Sequence, residues 1–329
     1  MSEFENIFIF VSDSLRYDHV PDSIAEEGNV INTLAPSLHT PVSFASLITG
    51  KSPENHSVRG FNDTLSAHHR TIFDFFENGS FYDNELDPVR NTVLKHTPEA
   101  KELDEIEPPF VYIERAMDTH IPYGEMGHGN DLLAHQMEDG EVRGSENIHE
   151  KYEEGSKSVE SHFWEHIEEL EKRGLKQSTL IIFTSDHGEL LGERKNFRRR
   201  FAHGHPMSRE LVEVPTVFLN YDGIQEENAR LIDLTETALN LMKGSSLKND
   251  GINLVEKCPK AGRSVIDGYV SYDTAWRFEN GSWEPTKGES DLKKTILRED
   301  LRMLLSKIGK GEIIEREGRY QSETDNIDF

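Results

Sequence analysis

The sequence predicts an α/β fold: a mainly parallel central sheet flanked by helices, followed by a small C-terminal α+β subdomain. Three observations predict it. Short, continuous apolar runs recur at 7–11, 109–113, 179–184 and 214–219, as expected of strands buried on both faces of a parallel sheet. Helically patterned segments lie between them. Beyond Val255 the texture shifts to alternation and a hairpin signal.

Taken in order, Ile7-Phe8-Ile9-Phe10-Val11 is the first strand, and it ends in polar Ser12-Asp13-Ser14. A helix is predicted over 40–49, with Pro41 in its first turn and Gly50 just past its end. The stretch from Thr71 to Asn78 reads as a short helix closed by Gly79. Pro109-Phe110-Val111-Tyr112-Ile113 is the second buried strand. Met126 to Asn147 is polar and aperiodic and reads as an insertion loop. A long helix follows from Ile148 to Arg173, with Val159, Phe163, Ile167 and Leu170 on one stripe and Gly174 as its cap. Thr179 to Thr184 and Val214 to Leu219 are further strands, and Asp233 to Met242 is a helix. Tyr269 to Trp283 alternates around Asn280-Gly281, a hairpin turn signal, and Leu292 to Ile308 reads as a final amphipathic helix.

Composition excludes several classes. One cysteine, Cys258, rules out an internal disulfide. The N-terminus lacks a basic n-region, and its apolar run is too short for a signal or a membrane span, so a cytoplasmic protein without membrane contact is expected. Sixty-one acidic against 36 basic residues give a net charge of −25. That charge disfavours nucleic acid. Because the acidic residues are spread along the chain, it predicts a surface suited to high salt, with structure lost at low salt.

Asp13, Asp118 and Asp186 each follow a predicted strand, and in parallel sheets functional sites form at those carboxyl ends. Singly, each reads better as a turn residue or helix cap. Together with His187 and His120, they offer oxygen and nitrogen ligands for a divalent ion. His19 and His56 read as structural.

Several segments carry a resemblance. Residues 6–19, with Asp13-Ser14-Leu15-Arg16, resemble the opening of sulfatase-family enzymes of the alkaline phosphatase superfamily. Ala45 to His56 resembles the stretch after their nucleophile, and Asp118-Thr119-His120-Ile121-Pro122-Tyr123 their substrate loop. Phe183 to Glu193 is similar to their second metal motif, and His203-Gly204-His205 to a later substrate loop. Asp250 to Leu254 is similar to the segment closing their main domain. The resemblance implies a catalytic domain over 1–255 and a subdomain of hairpin plus helix over 256–329. It implies a hydrolase of phosphate, phosphonate or sulfate esters acting on a small anionic substrate. Asp13, Thr40, Asp186 and His187 would hold one divalent ion (calcium, magnesium, manganese or zinc), or two. Thr40 would be the nucleophile, with His120 and His203 catalytic. Asp118, His120, His203, His205 and Arg16 would contact substrate, Arg16 also bracing the loop behind Asp13.

The sequence departs from that pattern at the nucleophile. Sulfatases carry Cys or Ser there, in a motif with Arg four residues on that is converted to formylglycine. Here the positions hold Thr40, Val42 and Phe44. Threonine cannot form the aldehyde, which favours phosphorus over sulfur esters, and Ser43 is the alternative nucleophile. Ser14 stands where a second acidic ligand is common. Arg198-Arg199-Arg200 reads as a solvated patch or a positive rim for an anion. Two other functions remain: a phosphoryl-group transferase, and a non-catalytic binding module on the same scaffold.

Overall fold

The computed structural model describes residues 4–83, 89–121, 123–124, 148–195, 198–203, 207–243, 246–247, 249–267 and 271–286. The strands in chain order are β1 (Asn6–Ser12), β2 (Ile31–Leu34), β3 (Asn78–Tyr82), β4 (Phe110–Ala116), β5 (Thr179–Ser185), β6 (Leu190–Lys195), β7 (Arg198–Ala202), β8 (Glu213–Phe218), β9 (Asn228–Arg230), β10 (Ala261–Asp267), β11 (Ser271–Glu279) and β12 (Ser282–Pro285). Three helices matter most: α1 (Thr40–Thr49), α2 (Ile148–Lys172) and α3 (Leu231–Lys243).

The central sheet has seven strands in the order β3-β4-β1-β5-β8-β2-β9. β8 alone runs against its neighbours; the other pairs are parallel. Every residue of β1, β4 and β5 is buried, as their apolar runs predict. Their side chains split by strand alternation. Ile7, Ile9 and Val11 face a layer formed with Phe44, Leu47 and Ile48 of α1 and Leu234, Ala238 and Leu239 of α3. Phe8 and Phe10 face the opposite layer, where Val159, Phe163, Ile167 and Leu170 of α2 lie. A single buried Phe or Leu side chain contributes about 1.5–3 kcal/mol, so the two layers together fix the sandwich.

The end of α1 shows why a glycine closes it. Gly50 has φ 63, and an added Cβ would lie 2.3 Å from Asn249 Nδ2. Asp250 and Gly251 both donate their amides to the Gly50 carbonyl, which ties the segment after α3 to this turn.

The stretch from Thr71 to Asn78 is not the helix its sequence predicts. Only Ile72–Phe75 turns, as a 3-10 helix closed by a Thr71/Asp74 capping box. Phe76 is extended, and Asn78 onward pairs with β4. Pairing with a buried strand outweighs weak local helix propensity there. The 190–202 hairpin escaped the sequence reading because its strands are heavily charged. The C-terminal strands form a three-stranded sheet, turning at Asn280-Gly281 with positive φ at both residues. The predicted loop over 126–147 and helix over 292–308 lie outside the described residues. Among the described residues, no helix is long and apolar enough to cross a membrane.

His56 is structural, as read. It is buried; its Nδ1 accepts the Val58 amide at 3.1 Å, and its Nε2 lies 2.9 Å from Ser46 Oγ. Burial, then the charges of Arg59 and His69, push its pKa down to about 3 from 6.5. The folded pKa is depressed, so the stabilisation is complete above the unfolded value. It is lost as pH falls through the window between the two, where only the unfolded chain binds the proton. His56→Gln should therefore flatten the drop in urea midpoint between about pH 7 and about pH 5. An unchanged slope would show that other groups govern it.

Candidate active site

The site forms where β1, β4 and β5 end together and α1 begins. Asp13 follows β1, and its amide donates to Ala116 O on β4 at 2.8 Å. Thr119 holds the turn from the other side, its Oγ1 donating to Asp13 O at 2.6 Å. Asp186 and His187 follow β5. The segment entering α1 is pinned by β10: Val265 N donates to Pro36 O at 2.9 Å, and Ser264 Oγ donates to Ala35 O. This seats Thr40 at the start of α1, 3% exposed.

Asp13, Asp186 and His187 are fully buried and bring one ligand atom each within 4.8 Å of the others. Thr40 Oγ1 joins them, 3.5 Å from Asp13 Oδ2 and 3.3 Å from His187 Nε2. His187 Nδ1 lies 3.1 Å from the Gly188 carbonyl, which can only accept. The ring proton therefore sits on Nδ1, and the Nε2 lone pair faces Thr40. Asp186 Oδ1 is satisfied by the amides of Ser14 and His187 at 3.1 and 2.9 Å. Among the described residues Asp186 Oδ2 is buried with no hydrogen-bond partner, 3.4 Å from His187 Nε2.

Electrostatics follow from this crowding. Burial raises the Asp13 carboxyl, but Arg115 and then His120 outweigh it and hold the group well below the usual carboxylate range. Burial, then the neighbouring Asp13 charge, push Asp186 up. Burial, then His203, keep His187 neutral by pushing its pKa well down. A buried carboxylate oxygen without a donor, beside a second carboxylate and a neutral imidazole, is a donor set that fits a divalent cation.

His203 lies tilted against His187 with ring centroids 4.4 Å apart, and the His120 ring centroid lies 5.8 Å from that of His203. Burial lowers His203, but Glu189, its Oε2 3.2 Å from His203 Nδ1, wins and raises it. Burial lowers His120, whose Nδ1 faces Ile121 O at 2.8 Å. Two imidazoles in one site thus differ in proton affinity in the way that separates an acid from a base.

Other expected residues lie elsewhere. The Asp118 carboxylate accepts from Ser158 Oγ at 2.6 Å and lies 3.5 Å from His162 Nδ1, so α2 holds it and it does not face Thr40. Arg16 is paired with Asp18 and Glu193, which ties its guanidinium to the loop after β1 and to β6. Ser43 Oγ donates to Ser37 O at 3.2 Å, one turn into α1, rather than joining Asp13 and His187. Ser14 keeps a supporting place, its Oγ donating to Asp13 Oδ1 at 2.8 Å. His205 and the side chains of Arg198 and Arg199 lie outside the described residues.

Two residues were missed. Arg115 reaches Asp13 Oδ2 from Nε at 2.8 Å and from Nη2 at 2.6 Å. Glu189 is fully buried behind His203. The signal for Arg115 was present: Glu114-Arg115 interrupts an apolar strand, and charges buried in a sheet require partners.

A sulfatase family model matches residues 95–245. A Haloferax volcanii protein named low-salt glycan biosynthesis sulfotransferase Agl7 is 34% identical over 307 residues, covering 87% of this chain and 74% of that protein. Among solved structures, a 2-O glycosaminoglycan sulfatase matches with TM-score 0.63 at 14% identity, covering 99% of this chain and 94% of that one. Phosphonate monoester hydrolase of Agrobacterium radiobacter matches with TM-score 0.61 at 14% identity, covering 85% and 88%. The structural likenesses establish the fold, and the family model together with the Haloferax relative places the chain: it belongs to the sulfatase family.

Proposed function

We propose that the chain is a metal-dependent ester hydrolase that uses Thr40 as its nucleophile on a phosphate, phosphonate or sulfate ester. The observation that carries this is the Thr40 hydroxyl at the start of α1, within 3.5 Å of both Asp13 Oδ2 and His187 Nε2. Asp13, Asp186, His187 and Thr40 would hold the ion. When bound, a divalent ion at these donors lowers the pKa of the threonine hydroxyl and neutralises charge on the substrate oxygens.

The rest of the step falls to the chain. Thr40 Oγ1, ionised with its proton released to solvent, forms a bond to phosphorus or sulfur as the bond to the leaving alcohol oxygen breaks. The helix start behind Thr40 favours negative charge on that oxygen. His203, kept protonated by Glu189, gives the leaving oxygen its proton. In the second half, neutral His120 takes a proton from the attacking water, which releases the acid and restores Thr40. We take residues 1–255 as the catalytic domain and 256–329 as a subdomain that seats the segment before Thr40.

The Haloferax relative favours a second reading, in which a glycan hydroxyl replaces water in the second half and the sulfuryl group is transferred. The test is turnover of aryl sulfate, phosphate and phosphonate in high salt, with and without a sugar acceptor, followed by intact mass of the quenched protein. An adduct on Thr40 that yields free acid supports the hydrolase. A product on the sugar supports transfer. No adduct and no turnover with any ion leaves a binding module. A chelator should abolish turnover, and an added divalent ion should restore it.

Glu189→Gln supplies a pH test. Removing that charge lowers the proton affinity of His203, so the alkaline limb of the kcat/KM profile should move to lower pH. An unmoved limb would remove His203 as the acid.

A further inference from the structure

We propose that Glu114, His162 and His166 form a second metal site, apart from the Thr40 centre, which takes a zinc-class divalent ion and clips β4 to α2. Along β4, Phe110, Tyr112 and Ala116 pack in the layer beneath α2. Glu114 shares their face, so its carboxylate enters an aromatic layer and is 1% exposed. A charge there needs a cation or a set of donors.

His162 and His166 stand one turn apart on α2, on one face of the helix. His162 Nε2 lies 2.9 Å from Glu114 Oε1, and His166 Nε2 lies 2.6 Å from Glu114 Oε2. The three ligand atoms lie within 4.8 Å of one another. Among the described residues His166 Nε2 is buried and aimed at the carboxylate, yet it makes no hydrogen bond of ordinary geometry.

The surroundings have the character of a ligand set. Asp118 Oδ2 lies 3.5 Å from His162 Nδ1 and is itself held by Ser158. A carboxylate behind a ligating imidazole fixes its tautomer and leaves Nε2 for the ion. Tyr112 donates its hydroxyl to Glu114 Oε2 at 3.3 Å. Two imidazoles and one carboxylate suit zinc or a similar borderline ion rather than calcium or magnesium, which prefer oxygen alone. The two imidazole side chains remain 11% and 15% exposed, so an ion can enter and water can complete four-fold coordination. This gives Asp118 a place that the substrate loop does not.

The test is zinc stoichiometry on the full chain, stripped with chelator, reloaded and dialysed. The expected result is two ions per chain, falling to one in His166→Ala and to one in Asp186→Asn. His162→Gln serves as a second variant, with folding checked by circular dichroism. Two ions retained in a folded His166→Ala, or all zinc lost in Asp186→Asn, overturns the site. The unsubstituted protein decides by itself if the variants do not fold: a zinc-loaded crystal with no anomalous zinc peak beside Glu114 means that Glu114 is held by protonated imidazoles only.

Discussion

Thr40→Ala should lower kcat by about 10⁴- to 10⁶-fold, the range seen when an enzyme loses its nucleophile, while the fold survives. The hydroxyl's contacts with His187 and Asp13 are long, at 3.3 and 3.5 Å, in a buried pocket. Losing one such bond costs about 0.5–1.5 kcal/mol. The first turn of α1 is otherwise held by Pro41 and by the amides of Val42 and Ser43, which donate to His39 O. Thr40→Ser keeps an oxygen nucleophile and should retain most of the activity. Thr40→Ala that still turns over would move the chemistry to a water molecule or to Ser43, which would first have to abandon its bond to Ser37.

Arg115→Met should be the most destabilising single change near the site. The guanidinium neutralises Asp13 at 2.6 Å and approaches Asp83 at 3.5 Å, and all three side chains are buried. Removing one partner of a buried pair leaves an uncompensated charge and costs about 3–5 kcal/mol. Because Asp13 is also a proposed metal ligand, saturating divalent ion should recover part of that loss. The shift in Tm on adding metal should therefore be larger in Arg115→Met than in the unsubstituted protein. Equal shifts would mean that the ion does not touch Asp13.

The candidate carboxylates Asp13 and Asp186 were legible because each sits just after an unbroken apolar run. β1 ends at Asp13 and β5 ends at Asp186, and parallel pairing brings those ends together. The helix that Thr40 opens was legible because Pro41 and Gly50 bracket it, whereas the role given to Thr40 came from the family resemblance alone. Asp118 shared the strand-end signal, but Ser158 and His162 of a helix 40 and more residues later capture its carboxylate. Position in the chain gives the edge of the sheet, not the direction of a side chain. Glu189 and the 190–202 hairpin escaped because a charged hairpin has neither apolar alternation nor a glycine turn to mark it. His162 and His166 flank the apolar stripe of α2, where one turn of spacing was readable but its partner on β4 was not.

β4 carries two consecutive charges whose destinations are opposite. In its register with β1, Glu114 stands beside Phe10 and Arg115 beside Val11. The carboxylate goes to the aromatic layer under α2, and the guanidinium goes to Asp13. The strand therefore has a parity. Losing or gaining one residue upstream of Glu114 would send the negative group toward Asp13 and the positive group among Phe8, Phe10 and Phe163. Two-residue changes would preserve the faces. Length variation in this strand is then constrained to even steps, a filter that acts on insertions and deletions rather than on substitutions.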